Sequence, residues 1–226
     1  MRSLRILAVA AAALAATAAS ANVTVVRAIG ASARAYPPGT SLPDTATLRL
    51  AAGDSVMVLG ARGTRTFRGP GTFRLDAPTR PQSIAQAIGR PRATPRIGAV
   101  RGNPPGGSDI WNIDISRGGN ACYVGTAPVL WRSEGREASR LTVRAADGPA
   151  ADVTFDVGSR IGDWPSNVPL RNDTEYWLGS GGGGGVSIRL IQIQPVPSND
   201  QEAAALLIRN GCEVQLDRLL ASTPEG

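Results

Sequence analysis

The sequence predicts a mainly β protein: a small β-domain, then an immunoglobulin-like β-sandwich with a short C-terminal helical segment. Three observations point there. Apolar and polar residues alternate in short runs, as half-buried strands require. Glycine and proline, 27 and 17 of 226 residues, separate those runs. The period lengthens to that of a helix only after Pro197.

The chain opens with Met1-Arg2-Ser3-Leu4-Arg5, an apolar run from Ile6, and Ala19-Ser20-Ala21. A charged start, an apolar stretch too short to span a bilayer and an A-x-A site predict a signal peptide over residues 1–21. The mature chain is then expected to begin at Asn22, periplasmic or secreted, with no integral membrane segment after cleavage.

Residues 22–76 form the expected small β-domain. Val23 to Arg27 opens it, and Thr47-Leu48-Arg49-Leu50 puts both leucines on one face. Ala52-Gly53-Asp54 turns the chain into Ser55 to Leu59, and Gly69-Pro70-Gly71-Thr72 reads as a type II turn, because proline presets φ and glycine tolerates φ > 0. No helix is expected here. Pro38-Gly39-Thr40-Ser41-Leu42 and the run from Ala46 to Val56, with its Gly53-Asp54 turn, resemble the FecR-like periplasmic domain over about 40 residues. In that family the domain belongs to regulators that listen to an outer-membrane transporter and control a sigma factor from a cytoplasmic segment. This chain departs from the pattern, having only five residues before its apolar run, so the resemblance implies an extracytoplasmic interaction role and not transcriptional control.

Residues 77–108 thin to six prolines and five arginines without one acid. Such a stretch buries too little apolar surface to offset its ordering entropy and is expected to be a Pro/Arg-rich linker, with one helical turn at most over 83–88.

The sandwich is expected over 109–197. Trp111, Ile113 and Ile115 share a strand face; 121–124 and 129–132 follow. Strands at 141–145 and 153–157 flank a turn at Asp147-Gly148-Pro149, with Leu141, Val143, Val153, Phe155 and Val157 inward. Strand 174–178 pairs with 186–194 across the glycine run 179–185. In the last strand the apolar phase slips from Leu190 to Ile191, which predicts a β-bulge there.

Residues 198–226 follow as a helical segment packed on the sandwich. Either Ser198 with Gln201 or Asn199 with Glu202 makes a capping box, and Asn210-Gly211 interrupts the helix. Cys212, Leu216, Leu219 and Leu220 then share one helical face. Cys122 and Cys212, 90 positions apart in a chain bound for an oxidising compartment, are expected to form a disulfide. Without C-x-x-C spacing a redox role has no signature.

Several chemistries drop out. Histidine is absent, which removes His-based triads and the usual zinc sets. Gly179-Ser180-Gly181-Gly182-Gly183-Gly184 satisfies G-x-G-x-x-G, but a strand and not a helix follows, so it reads as a hairpin tip. Asp152, Asp156, Asp163, Asp173 and Glu175 read as the wet edges of strands rather than as paired catalytic carboxylates. No cofactor, metal or catalytic residue is expected.

Every basic residue is arginine, and the charge is uneven. Residues 22–76 hold seven Arg against three Asp, whereas 109–226 hold ten Arg against fifteen acids. An exported chain of this kind points away from nucleic acid and toward an envelope protein or an anionic surface, with Arg62, Arg65, Arg68 and Arg74 as candidate contacts. The alternative is a glycan-binding module, for peptidoglycan or polysaccharide, using Trp164 from the loop Gly162-Asp163-Trp164-Pro165, while Trp131 and Trp177 read as core. Either way the expectation is a non-catalytic, exported interaction or sensing module of a bacterial envelope.

Overall fold

The computed structural model describes residues 22–77, 109–146, 148–180 and 184–226. The expected signal peptide, nearly all of the Pro/Arg stretch with its helical turn, and the centre of the glycine run lie outside the described residues. The protein is mainly β, with several sheets and two short C-terminal helices. No described helix is long and apolar enough to cross a membrane.

Six strands make the first unit: β1 (Asn22–Ile29), β2 (Ser41–Pro43), β3 (Thr47–Leu50), β4 (Ser55–Gly60), β5 (Gly63–Arg68) and β6 (Gly71–Arg74). A four-stranded sheet ordered β2-β1-β4-β5 faces the pair β3-β6. Alternation puts Val23, Val25, Leu48, Leu50, Val56, Val58 and Phe67 into one core with Leu75. A bulge in β1 between Val25 and Arg27 shifts the phase, so that Ala28 returns to this core while Val26 points out the other side.

Two local readings need correction. Where no helix was expected, Ala31–Arg34 forms a single 3-10 turn. Asp54 builds it: its buried carboxylate accepts the N–H groups of Ala31 (2.8 Å), Ala51 (3.0 Å) and Ser32 (3.1 Å) and the Ser32 hydroxyl. The Ser32 hydroxyl first, then these backbone donors, outweigh burial and hold Asp54 below the usual carboxylate range. A side chain on Gly30 would meet that carboxylate, with a Cβ only 2.0 Å from Oδ1, which is why glycine stands there at φ 96°. Nor is the turn at Gly69 type II, since the Gly69-Pro70 peptide is cis and Gly71 is not left-handed. Gly69 instead serves close approach: its N–H bonds Asp54 O at 2.9 Å, and a Cβ would lie 2.0 Å from Ala51 O.

The second unit is a sandwich of β7 (Ile113–Asp114), β8 (Gly119–Tyr123), β9 (Val129–Trp131), β10 (Ser139–Ala145), β11 (Ala150–Phe155), β12 (Ile161–Asp163), β13 (Thr174–Gly179) and β14 (Gly185–Gln192). Five strands, ordered β11-β10-β13-β14-β8, pack on three, ordered β12-β9-β7. Leu141, Val143, Val153 and Phe155 face the core with Tyr176, Leu178, Ile188 and Leu190. Val157, read as inward, lies beyond the end of β11 and is 72% exposed. Trp111, Ile113 and Ile115 do not share a strand face, because β7 is only two residues long and Trp111 packs toward the C-terminal helices.

The expected bulge at Leu190 is absent: β14 runs in unbroken register with β13 and with β8. Apolar side chains appear on both faces because both are covered. Ile188 and Leu190 face the sandwich interior, whereas Ile191 and Ile193 face the helices.

Those helices are α1 (Asp200–Arg209) and α2 (Glu213–Ser222). Of the two capping alternatives the structure takes the second, Asn199 accepting the Glu202 N–H at 2.9 Å while Glu202 reaches back to Ser198. Asn210 ends α1 and Gly211 is left-handed. The Cys122–Cys212 disulfide is formed, with Cα atoms 5.9 Å apart. The helices pack on the sandwich but not on it alone. Ala203, Ala204, Leu207, Leu216 and Leu219 share one cluster with Val26 and Leu59 of the first unit and with Cys122 and Ile193 of the second. Arg27 of β1 pairs with Asp217 of α2, and Pro224 to Gly226 bonds the edge of β5 at Thr64. The helical segment is therefore the joint between the two β units.

Candidate functional site

Placement of the four candidate arginines follows from strand parity and local pairing. Arg65 is taken up by structure: its guanidinium donates to Leu75 O and, at 3.0 Å, to Ala77 O, and it lies 4.9 Å from the Phe67 ring centroid. Burial lowers its pKa, with Arg62 adding to the effect. Arg74 is paired twice with Asp76, at 2.7 and 3.0 Å. Arg62 and Arg68 are exposed, but they flank opposite ends of β5, roughly 20 Å apart at strand rise. Arg62 and Arg68 therefore do not meet, whereas Arg62 and the Asp76 partner of Arg74 both lie near enough to Arg65 to act on it.

Trp164 is also not where an exposed contact must be. It is 7% exposed, donates its indole N–H to Val168 O at 2.9 Å, and meets Tyr176 edge-on with ring centroids 5.0 Å apart. Tyr176 in turn donates to Pro169 O and accepts the Arg171 N–H. The loop residue is thus an anchor in the sandwich core, which corrects the reading of Trp164 as a glycan contact.

The acidic candidates are spread out. Asp152 accepts from Thr142 at 2.7 Å and lies 3.5 Å from Arg140, and Asp173 pairs with Arg189 at 3.1 Å. Among the described residues no three acidic or cysteine side chains cluster as a metal would need.

What the structure brings together lies on the outer face of the five-stranded sheet. Strand β13 reads Thr174-Glu175-Tyr176-Trp177-Leu178, and Tyr176 and Leu178 point inward, so parity sends Glu175 and Trp177 outward. Trp177 was read as core and is instead half-buried on the solvent side. Its indole lies over two glycines paired across the strands, Gly179 and Gly185. A Cβ on Gly179 would fall 2.2 Å from the ring, and one on Gly185 2.5 Å. Glycine is required here because the ring occupies the space a side chain would use, and the ring in turn shields backbone that glycine leaves bare.

Across the sheet the same row runs Ala150, Arg144, Trp177, Ser187. The Arg144 guanidinium stands 5.1 Å from the Trp177 ring centroid, a cation–π contact, and no acidic residue among those described pairs with it. Arg140 and Arg189 on the same face do have acidic partners. Arg144 to Ser187 spans two strand spacings, about 10 Å. Thr142, one row toward the glycines, spends its hydroxyl proton on Asp152 and keeps lone pairs to accept another. The result is an aromatic surface with a cation over it that has no acidic partner among the described residues, and with hydroxyls around it.

Sequence reasoning passed over Trp177, yet two signals were present: its parity opposite Tyr176 and Leu178, and a glycine two positions on. The glycines read as a hairpin tip are, at both ends of the run, the floor under this ring. Comparison of the chain with protein-family models, with curated proteins and with solved structures returns no match.

Proposed function

We propose that this chain is a non-catalytic, exported interaction module of a bacterial envelope, and that it binds an anionic envelope component through the outer sheet face around Trp177 and Arg144. The observation that carries the reading is the half-buried indole beside an exposed arginine that has no acidic partner among the described residues. Exposed aromatic surface costs solvation, and an uncommitted guanidinium beside it offers directional donors to an anion. Export is supported by the charged and apolar start of the sequence and by the disulfide, which persists in oxidising compartments. The non-catalytic reading rests on the lack of histidine and on the dispersal of the acidic side chains. The resemblance to the FecR-like domain supports the same periplasmic setting, with an envelope protein as neighbour.

Sedimentation with purified envelope fragments, separated into cell wall and membrane, tests the proposal. The wild-type chain should be retained, and retention should fall as salt rises, because a single guanidinium on an open sheet is screened by ions. Trp177→Ala should lower retention at least about tenfold, as loss of a central aromatic anchor does. Equal retention of both proteins would remove this face from consideration.

A further inference from the structure

We infer that the Trp177–Arg144 surface receives a carboxylate-bearing saccharide, an inference that rests on the binding face proposed above and names its ligand. A pyranose ring has one face of C–H groups and a rim of hydroxyls. The face matches a flat indole, and the rim matches hydroxyl-bearing neighbours. Trp177 supplies the indole, packed into the space that Gly179 and Gly185 leave free of side chains. Ser187, opposite Trp177 in register, has an exposed hydroxyl with no hydrogen-bond partner among the described residues, and Thr142 retains acceptor capacity toward a sugar hydroxyl.

The acidic group is specified by Arg144. Its fork of N–H donors fits a carboxylate with two parallel bonds, and the guanidinium lies over the Trp177 ring, so a carboxylate that it holds brings the sugar carrying it against the indole. The nearby acids among the described residues do not oppose this. Asp152 is beside Arg140, Glu175 faces Arg189 in cross-strand register, and the indole leans toward Gly179, away from Glu175. A neutral glycan would use the ring and leave Arg144 unused; a peptide carboxylate would use Arg144 and leave the flat ring and its rim of hydroxyls unmatched.

Calorimetric titration of the full chain separates these cases with three probes: oligogalacturonate, peptide-free glycan strands containing N-acetylmuramic acid, and a neutral galactose oligomer of similar length. At least one acidic saccharide should bind about tenfold or more tighter than the neutral oligomer, the margin of a charge-assisted bond. Which acidic probe binds identifies the source as uronic-acid polysaccharide or cell-wall glycan. Arg144→Gln should abolish that margin, and Trp177→Ala should weaken every saccharide. Arg144 is exposed, so its variant reports on binding even if a thermal melt shows Trp177→Ala to be unfolded. Equal affinity for acidic and neutral oligomers, or a margin that survives Arg144→Gln, would overturn the inference. If no saccharide binds while Trp177→Ala still strips the protein from envelope fragments, the ligand class is wrong and the face stands. If Trp177→Ala leaves that retention intact, the face itself is wrong.

Discussion

The outer face of the five-stranded sheet has two halves that look alike in sequence and differ in fate. At one end Cys122 of β8 and Ile191 of β14 lie under the helices, completely or largely removed from water. At the other end Arg144, Trp177 and Ser187 remain at the surface, with no element over them among the described residues. Both halves follow the same alternation, and β14 runs through both. The difference lies in what arrives from elsewhere in the chain: α2 docks through a covalent bond to Cys122 and through Gln215, whose amide accepts the Cys122 N–H at 2.7 Å and donates to the Cys122 carbonyl. Parity decides which residues share a face, and distant docking decides whether that face is dry.

Breaking the dock should have the largest effect. Replacing both cysteines by alanine releases a 90-residue loop and should cost about 4–5 kcal/mol in the chain-entropy account, read as a lower urea midpoint at similar slope. The loss should fall on the covered half. Thiol labelling of reduced protein should track helix undocking, while saccharide binding at Trp177 persists in whatever fraction stays folded. Parallel loss of both would mean the two halves are one cooperative unit and the contrast is only apparent.

Leu207→Ala comes next. Leu207 is fully buried in the cluster that joins both β units, so truncation should cost about 3 kcal/mol. Because that cluster contains Val26 and Leu59 as well as Ile193, hydrogen exchange should rise in β1 and β4 as well as beside the helices. Protection unchanged in the first unit would show that the joint carries no coupling. Gln215→Leu should cost somewhat less, about 2 kcal/mol, since it leaves the N–H and C=O of Cys122 unpaired in a dry environment without opening a cavity.

Much of the architecture was legible because strand parity is local. Alternation puts Leu48 with Leu50 on one face and Leu141 with Val143 inward, and all four lie in cores. The disulfide and the Asn199 cap were legible for a similar reason, each resting on residue chemistry at fixed spacing. What escaped depends on non-local contact. Nothing local announces that β8 joins β14 in parallel, or that β7 joins β9 in the same sense. Ile191 and Ile193 looked like a phase slip because a second covering layer was not foreseen. Asp54 looked like a turn residue, although its carboxylate collects donors from two separate segments. At the candidate site the failure was of another kind. Trp164 was placed outside because its loop was assumed exposed, and Trp177 inside because its strand is apolar, whereas the parity of β13 pointed outward for Trp177.

The smallest expected effect gives the sharpest test of the open half. Gly185→Ala adds one methyl group whose three nearest neighbours are all atoms of the Trp177 ring, and the backbone there is not left-handed, so strain of the main chain does not enter. The indole must lift from the sheet, at a cost of about 1 kcal/mol. In a Trp177→Ala background the same methyl no longer meets the ring and should be neutral or slightly favourable. The double-mutant cycle should therefore show a coupling of about 1 kcal/mol between positions 177 and 185, measured by denaturant unfolding. Saccharide binding should fall in Gly185→Ala with Arg144 untouched, because the platform has tilted while its chemistry is unchanged. Additive stabilities would mean that the ring does not rest on the glycines in solution, and the flat surface on which the open half depends would be gone.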